Sequence, residues 1–124
     1  MIVVDTSIWI DLFRFRSEAT VLALRRPAEP LLMHEFVVGE LALGDFRDRS
    51  NVFRWLRTFR KAPVASPEEV HELIDKQPLY GTGIGYVDAH LLASTLLVED
   101  GRLWSRDRRL ATVAERLGIR ASME

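Results

Sequence analysis

The sequence predicts a three-layer α/β fold, a central parallel sheet of four to five short strands covered by helices on both faces. Three observations carry this. Short apolar runs without polar alternation, at Ile2–Val4 and Leu31–Met33, read as strands buried on both faces. Each gives way to a segment with apolar residues at helical spacing, and no hairpin turn joins neighbouring strands, so the strands should run parallel. The stretch YVDAHLLASTLLV (86–98) is apolar nearly all round, as a helix buried against such a sheet would be.

In chain order, the first strand hands over at Asp5-Thr6-Ser7 to a helix with Ile8, Leu12 and Phe15 on one face. A second helix is expected at 19–26, broken by Pro27 and Pro30 before the strand at 31–33. HEFVVGELALGDF (34–46) is helical in pattern, and 48–61 forms another helix with Val52, Trp55, Leu56 and Phe59 as its stripe. Pro63 stops it, and Val64 and Ala65 make a minimal strand. Ser66-Pro67-Glu68-Glu69 then supplies the cap, first-position proline and acidic first turn of a helix. QPLYGTGIGY (77–86) is the loop richest in helix breakers. After a turn at Glu99-Asp100-Gly101 come a strand RLWS (102–105), a helix carrying Leu110, Val113 and Leu117 and closed by Gly118, and a last strand at 119–121. No linker or repeat interrupts the pattern, so residues 1–124 read as a single domain.

Bulk composition narrows the function classes. With 48% hydrophobic residues the chain can bury a substantial core, and no stretch approaches the ~20 apolar residues of a membrane span. No leader with a basic start and long apolar core is visible, so a cytoplasmic protein is expected. The absence of cysteine excludes disulfides, thiolate catalysis and a cysteine zinc site. Net charge is −1, which does not mark a nucleic-acid binder. Nearly all positive charge is guanidinium, suited to carboxylate and phosphate contacts, because Lys61 and Lys76 are the only lysines. Six basic residues between Arg47 and Lys61 face Asp48 alone. Arg54, Arg57 and Lys61 are expected to share a helix face, either a solvated one or an RNA- or partner-contacting one.

In open parallel sheets, sites form outside the carboxyl ends of the strands. Asp5 follows the first strand at once and Asp107 follows RLWS after one residue, so both should lie at that edge, although each is also a good helix cap. Glu40 falls in the middle of an arc formed by Phe36, Val37, Leu43 and Gly44, which aims it inward. A buried ionised carboxylate costs several kcal/mol unless a cation or an arginine meets it. Asp88 sits in the first turn of the apolar helix, where the helix dipole also favours it. Four acids gathered in one place repel each other, and oxygen ligands of this kind suit Mg²⁺ or Mn²⁺.

These residues lie in VVDTSIWID, VVGEL, GYVDAHLLAST and LWSRD, which resemble the four acidic motifs of PIN-domain ribonucleases, in particular the small VapC toxins of toxin–antitoxin pairs, from residue 2 to about 119. Ser105 stands where that family carries a small hydroxyl residue two before its fourth acid. The resemblance implies a PIN-like fold and a Mg²⁺-dependent endoribonuclease, with Mn²⁺ as substitute. Asp5, Glu40, Asp88 and Asp107 would be the catalytic, metal-holding residues, and Glu40 either a ligand or the group orienting the attacking water. Thr6, Ser7 and Ser105 would support them through hydrogen bonds. It further implies an RNA substrate, inhibition of growth or translation, a homodimer, and a small VapB-like antitoxin covering the acidic cleft. A PIN-like interaction module without catalysis is the alternative.

Other signals are weaker. His34-Glu35 opens the zinc-protease pattern H-E-x-x-H, but Val38 stands where the second histidine belongs. His71 and His90 lie in ordinary helical patterns. Gly81, Gly83 and Gly85 follow a helix and Pro78 rather than a first strand, unlike a dinucleotide loop. Dehalogenase-like phosphatases need an acid where Ser7 stands, and receiver domains need an acidic pair and a late lysine that are missing here. Trp9, Trp55 and Trp104 sit in apolar patterns expected of core or dimer contacts.

Overall fold

The computed structural model describes residues 1–122. Four strands, β1 (Ile2–Val4), β2 (Leu31–Met33), β3 (Arg60–Lys61) and β4 (Arg102–Trp104), form one sheet of order β3-β2-β1-β4, parallel throughout. Ile2 lies opposite both Leu31 and Arg102, and Val4 opposite Trp104. Successive strand side chains point to opposite faces, and every residue of β1 and β2 is buried, so both faces of the sheet are covered.

The helices are α1 (Thr6–Ile10), running into a π-helical turn at Asp11–Phe15, then α2 (Glu18–Arg25), α3 (Glu35–Ala42), α4 (Arg49–Leu56), α5 (Pro67–Lys76), α6 (Tyr86–Leu96) and α7 (Arg108–Arg116). The chain steps outward from β1 through β2 to β3, then returns past β1 to β4. Right-handed crossovers place α1 to α4 on one face and α5 and α6 on the other. Accordingly α1 packs on α3, while α6 packs on β1, β4 and α5. The reversal between β1 and β4 opens a crevice at their carboxyl ends, the place where such sheets bind ligands. In α6 all residues from Ala89 to Thr95 are buried, as its apolar circumference predicts.

Besides α3, which ends at Ala42 rather than near residue 46, three elements differ from the sequence-based expectation. The third strand lies at 60–61 rather than 64–65. Both of its residues are exposed on the sheet edge, so backbone pairing creates it without an apolar signal, and cations suit an exposed edge. The helix expected over 48–61 ends at Leu56, where the Thr58 hydroxyl donates to the Trp55 carbonyl (2.6 Å). Phe59 nevertheless completes the apolar stripe by packing on Trp9 at 5.3 Å between ring centres. The last strand reduces to a single parallel bridge between Arg120 and Leu103. The helix start at Ser66 forms as predicted, as a reciprocal capping box with Glu69.

His34, fully buried, caps α3 and ties the end of β2 to α6. Its Nδ1 accepts the Phe36 N–H (3.0 Å), which fixes the proton on Nε2, 2.9 Å from the Ser94 hydroxyl. Burial, with a smaller contribution from His90, lowers its pKa to about 4, so the ring is neutral. Among the described residues no helix is long and apolar enough to cross a membrane.

Candidate active site

The crevice begins where β1 ends. The Asp5 N–H donates to the Trp104 carbonyl at 2.9 Å, so the β1–β4 ladder runs to the start of the site. The Asp5 carboxylate is buried, and its Oδ2 accepts from the Ser7 N–H (3.3 Å), the Ser7 hydroxyl (2.7 Å) and the Ser105 hydroxyl (2.8 Å). Its Oδ1 takes no hydrogen bond among the described residues. Asp5 therefore caps α1 with one oxygen and keeps the other for the crevice, so the capping and site readings are compatible.

Ser7 and Ser105 clamp the two strand ends together. The Ser7 hydroxyl accepts the Arg106 N–H (2.9 Å), and the Ser105 hydroxyl accepts the Asp107 N–H (2.9 Å). Asp107 in turn caps α7, its Oδ1 accepting from the N–H groups of Arg109 (2.9 Å) and Leu110 (3.2 Å). Arg106 pairs with Asp11 at 3.4 Å. Hydrogen bonds from Ser17 and Thr20, with the Arg106 charge adding to them, hold the Asp11 carboxyl below the usual carboxylate range. Sequence reasoning assigned no role to Asp11. Its only signal was its place in the WID run; it opens the π-helical turn, where Arg106 reaches it.

Glu40 is placed differently from the expectation. The buried seam of α3 is Val37 and Leu41, while Glu40 is exposed and Leu43, beyond the helix end, is 91% exposed. The arc drawn from the sequence assumed a helix longer than the one that forms. Glu40 faces the crevice rim, where its Oε1 accepts the Thr6 hydroxyl at 2.6 Å, so no burial cost arises.

Asp88, half-buried in the first turn of α6, accepts the Gly85 N–H at 3.2 Å. Burial pushes its carboxyl upward, the Gly85 bond opposes this, and the charges of Asp5, Asp107 and Glu40 push it up further. All four carboxylates thus lie within one electrostatic field. Among the described residues, however, no three Asp, Glu or His side chains form a ready-made chelating group.

Elsewhere, Arg54 and Arg57 line a groove of about 560 Å³ with Ala42 and Phe53, whereas Lys61 lies on β3 and does not share their face. Trp9 and Trp104 are buried, and Trp55 is partly exposed beside Trp9.

The family model for the PIN domain matches residues 2–116. The chain belongs to the PIN domain family. This PIN domain is 39% identical over 124 residues to Ribonuclease VapC32 of Mycobacterium tuberculosis, strains CDC 1551 and H37Rv, covering 100% of this chain and 98% of that protein. Two solved PIN-like folds superpose on it. The crystal structure of FitAcB from Neisseria gonorrhoeae matches with a TM-score of 0.69 at 21% identity, over 93% of this chain and 94% of that one. FitAB bound to an IR36 DNA fragment matches with a TM-score of 0.67 at 19% identity, over 93% and 91%.

Proposed function

We propose that this PIN domain is a metal-dependent endoribonuclease, the toxin of a VapBC-type pair, acting as a single domain. The observation that carries the reading is the gathering of four acids at the carboxyl ends of β1 and β4, where Ser105 bonds both Asp5 and the Asp107 N–H, Thr6 bonds Glu40, and Asp88 lies in the first turn of α6. Full-length similarity to a ribonuclease, VapC32, supports it.

The donor set fits a hard divalent cation. It is all carboxylate, Asp88 is destabilised by its neighbours' charges, and Asp5 keeps one oxygen without a hydrogen bond. With no preformed three-ligand group, the fit is to an ion that takes one or two carboxylates and retains several waters, as Mg²⁺ does and Mn²⁺ can. Asp5 and Asp88 would hold it, with Asp107 as a further ligand or outer anchor. When bound, such an ion acidifies a water and offsets charge on the phosphodiester. Glu40, held by the Thr6 hydroxyl, would be a further ligand or would orient the attacking water and take its proton as the bond from phosphorus to the leaving oxygen breaks. Ser7 and Ser105 keep Asp5 in one rotamer, so the approach of the phosphodiester is set before it binds.

The partner on this reading is a small VapB-like antitoxin whose arginine-bearing tail neutralises the acidic crevice, around a homodimer of this chain. Arg54 and Arg57 flank a groove open to such a partner or to RNA. The test is incubation of purified protein with mixed RNA and Mg²⁺ or Mn²⁺, with and without EDTA, beside Asp5→Asn. Cleavage that requires metal and is lost in Asp5→Asn is expected. Absence of any metal-dependent difference between the two proteins would make the chain a silent interaction module.

A further inference from the structure

Past Ser105 the crevice opens into a groove of about 790 Å³ between the end of β4, α7 and the segment that follows it. Arg106, Arg108 and Arg120 are its cations, and Glu115 is its acid. Arg106 engages Asp11. Arg120 meets Glu115 at 3.6 Å, a pair exposed by 50% and 70% that contributes little in water. Arg108 is exposed and makes no ion pair among the described residues. The floor of Trp104, Ala111 and Ala121 is buried, so no exposed aromatic ring is offered for a base to stack on. The groove borders the carboxylates: Ser105, which lines it, donates to Asp5, and the Arg106 N–H donates to Ser7.

We infer that this groove holds the sugar-phosphate backbone of single-stranded RNA on one side of the scissile bond, with Arg108 and Arg120 as the phosphate contacts. The inference rests on the ribonuclease reading above. Four carboxylates repel a polyanion, and a flanking cationic track offsets that repulsion while aligning the strand. Contacts to phosphate rather than to base edges add affinity without sequence preference.

The test compares wild type, Arg108→Gln/Arg120→Gln and Arg108→Lys/Arg120→Lys in binding a fluorescein-labelled oligouridylate in EDTA across a salt series. Loss of two phosphate contacts should make the log–log salt dependence shallower by about 1.4, at about 0.7 per single-strand contact. The Lys pair should restore the slope, and an oligoadenylate should give the same result. With Mg²⁺ and excess RNA, the Gln pair should raise KM and leave kcat unchanged. Equal slopes and equal KM for wild type and the Gln pair would overturn the subsite while leaving the ribonuclease reading intact. A wild type that cuts no RNA would overturn that reading and the subsite with it. If oligoglutamate bound wild type as tightly as the RNA and lost affinity in the Gln pair, the groove would be a protein-docking surface and the inference would fall.

Discussion

Truncating Ser105 to alanine isolates the clamp that joins β1 to β4. Its hydroxyl donates to buried Asp5 at 2.8 Å and accepts the Asp107 N–H at 2.9 Å. A hydrogen bond to a charged group contributes about 1.5–3 kcal/mol, and the buried carboxylate has little water to replace it. Asp107 is exposed, so water can take over its N–H and that half adds little. Ser105→Ala should therefore cost about 2 kcal/mol, a fall of about 6–10 °C in melting temperature for a chain of this size. In an Asp5→Asn background the acceptor is neutral, and the same truncation should cost about 1 kcal/mol, leaving a coupling of about 1 kcal/mol. Thermal and urea unfolding of the four proteins in EDTA measures it, with Ser105→Thr as the variant that keeps the hydroxyl. On the proposed reading of Asp5 as a metal ligand, activity of Ser105→Ala should drop by about 10–100-fold, the usual effect of losing an outer partner of such a group. A Ser105→Ala protein that melts with wild type, or a truncation that costs as much in the Asp5→Asn background as with Asp5 intact, would refute the clamp.

Asp88 has its folded pKa raised, so its ionisation lowers stability as pH climbs from the unfolded to the folded pKa. Asp88→Asn should then raise the metal-free melting temperature at neutral pH and gain nothing near pH 3, and melts in EDTA showing an equal effect at both would contradict this. Mg²⁺ at a hundred times its Kd should stabilise wild type by about 2.7 kcal/mol and Asp5→Asn much less. Identical responses in a Mg²⁺ series of melts would remove Asp5 from the metal site. For His34 the folded pKa is depressed to about 4, so the stability its neutral ring contributes is complete above about pH 6.5 and is lost as pH falls towards 4. The gap in urea midpoint between wild type and His34→Gln should narrow over that range, and a constant gap would show that His34 does not titrate as described.

The sheet centre and the location of the crevice were legible because burial writes itself into the sequence. Ile2–Val4 and Leu31–Met33 have no polar alternation since both sheet faces are covered, and Asp5 directly follows one parallel strand while Asp107 follows another after two intervening residues. Arg60 and Lys61 gave no signal, being an exposed edge held only by backbone bonds. The stripe through Phe59 misled about the end of α4 because a side chain can return to the same aromatic cluster after the helix has stopped. Glu40 was expected to point inward and is exposed. Periodicity gives an angle around an axis but not where α3 ends; with Leu43 and Gly44 beyond its end, the buried seam is Val37 and Leu41, and Glu40 lies outside that seam. His34 was weighed only as a metal ligand. Its role as a cap and as a tie to Ser94 depends on a contact across 60 residues that no local pattern encodes.

The bond between Ser105 and Asp5 spans 100 positions of chain. Contacts this remote form late, since a long stretch must first be ordered to bring its ends together. A nascent chain extended only through α6 already carries Asp5, Glu40 and Asp88, yet β1 has one edge unpaired and Asp5 lacks the hydroxyl that completes its orientation. On the reading proposed above, the capacity to act on a phosphodiester is therefore absent until β4 docks beside β1. An RNA-cutting enzyme of this design stays inert while its first three acids are already made, until β4 has joined the sheet.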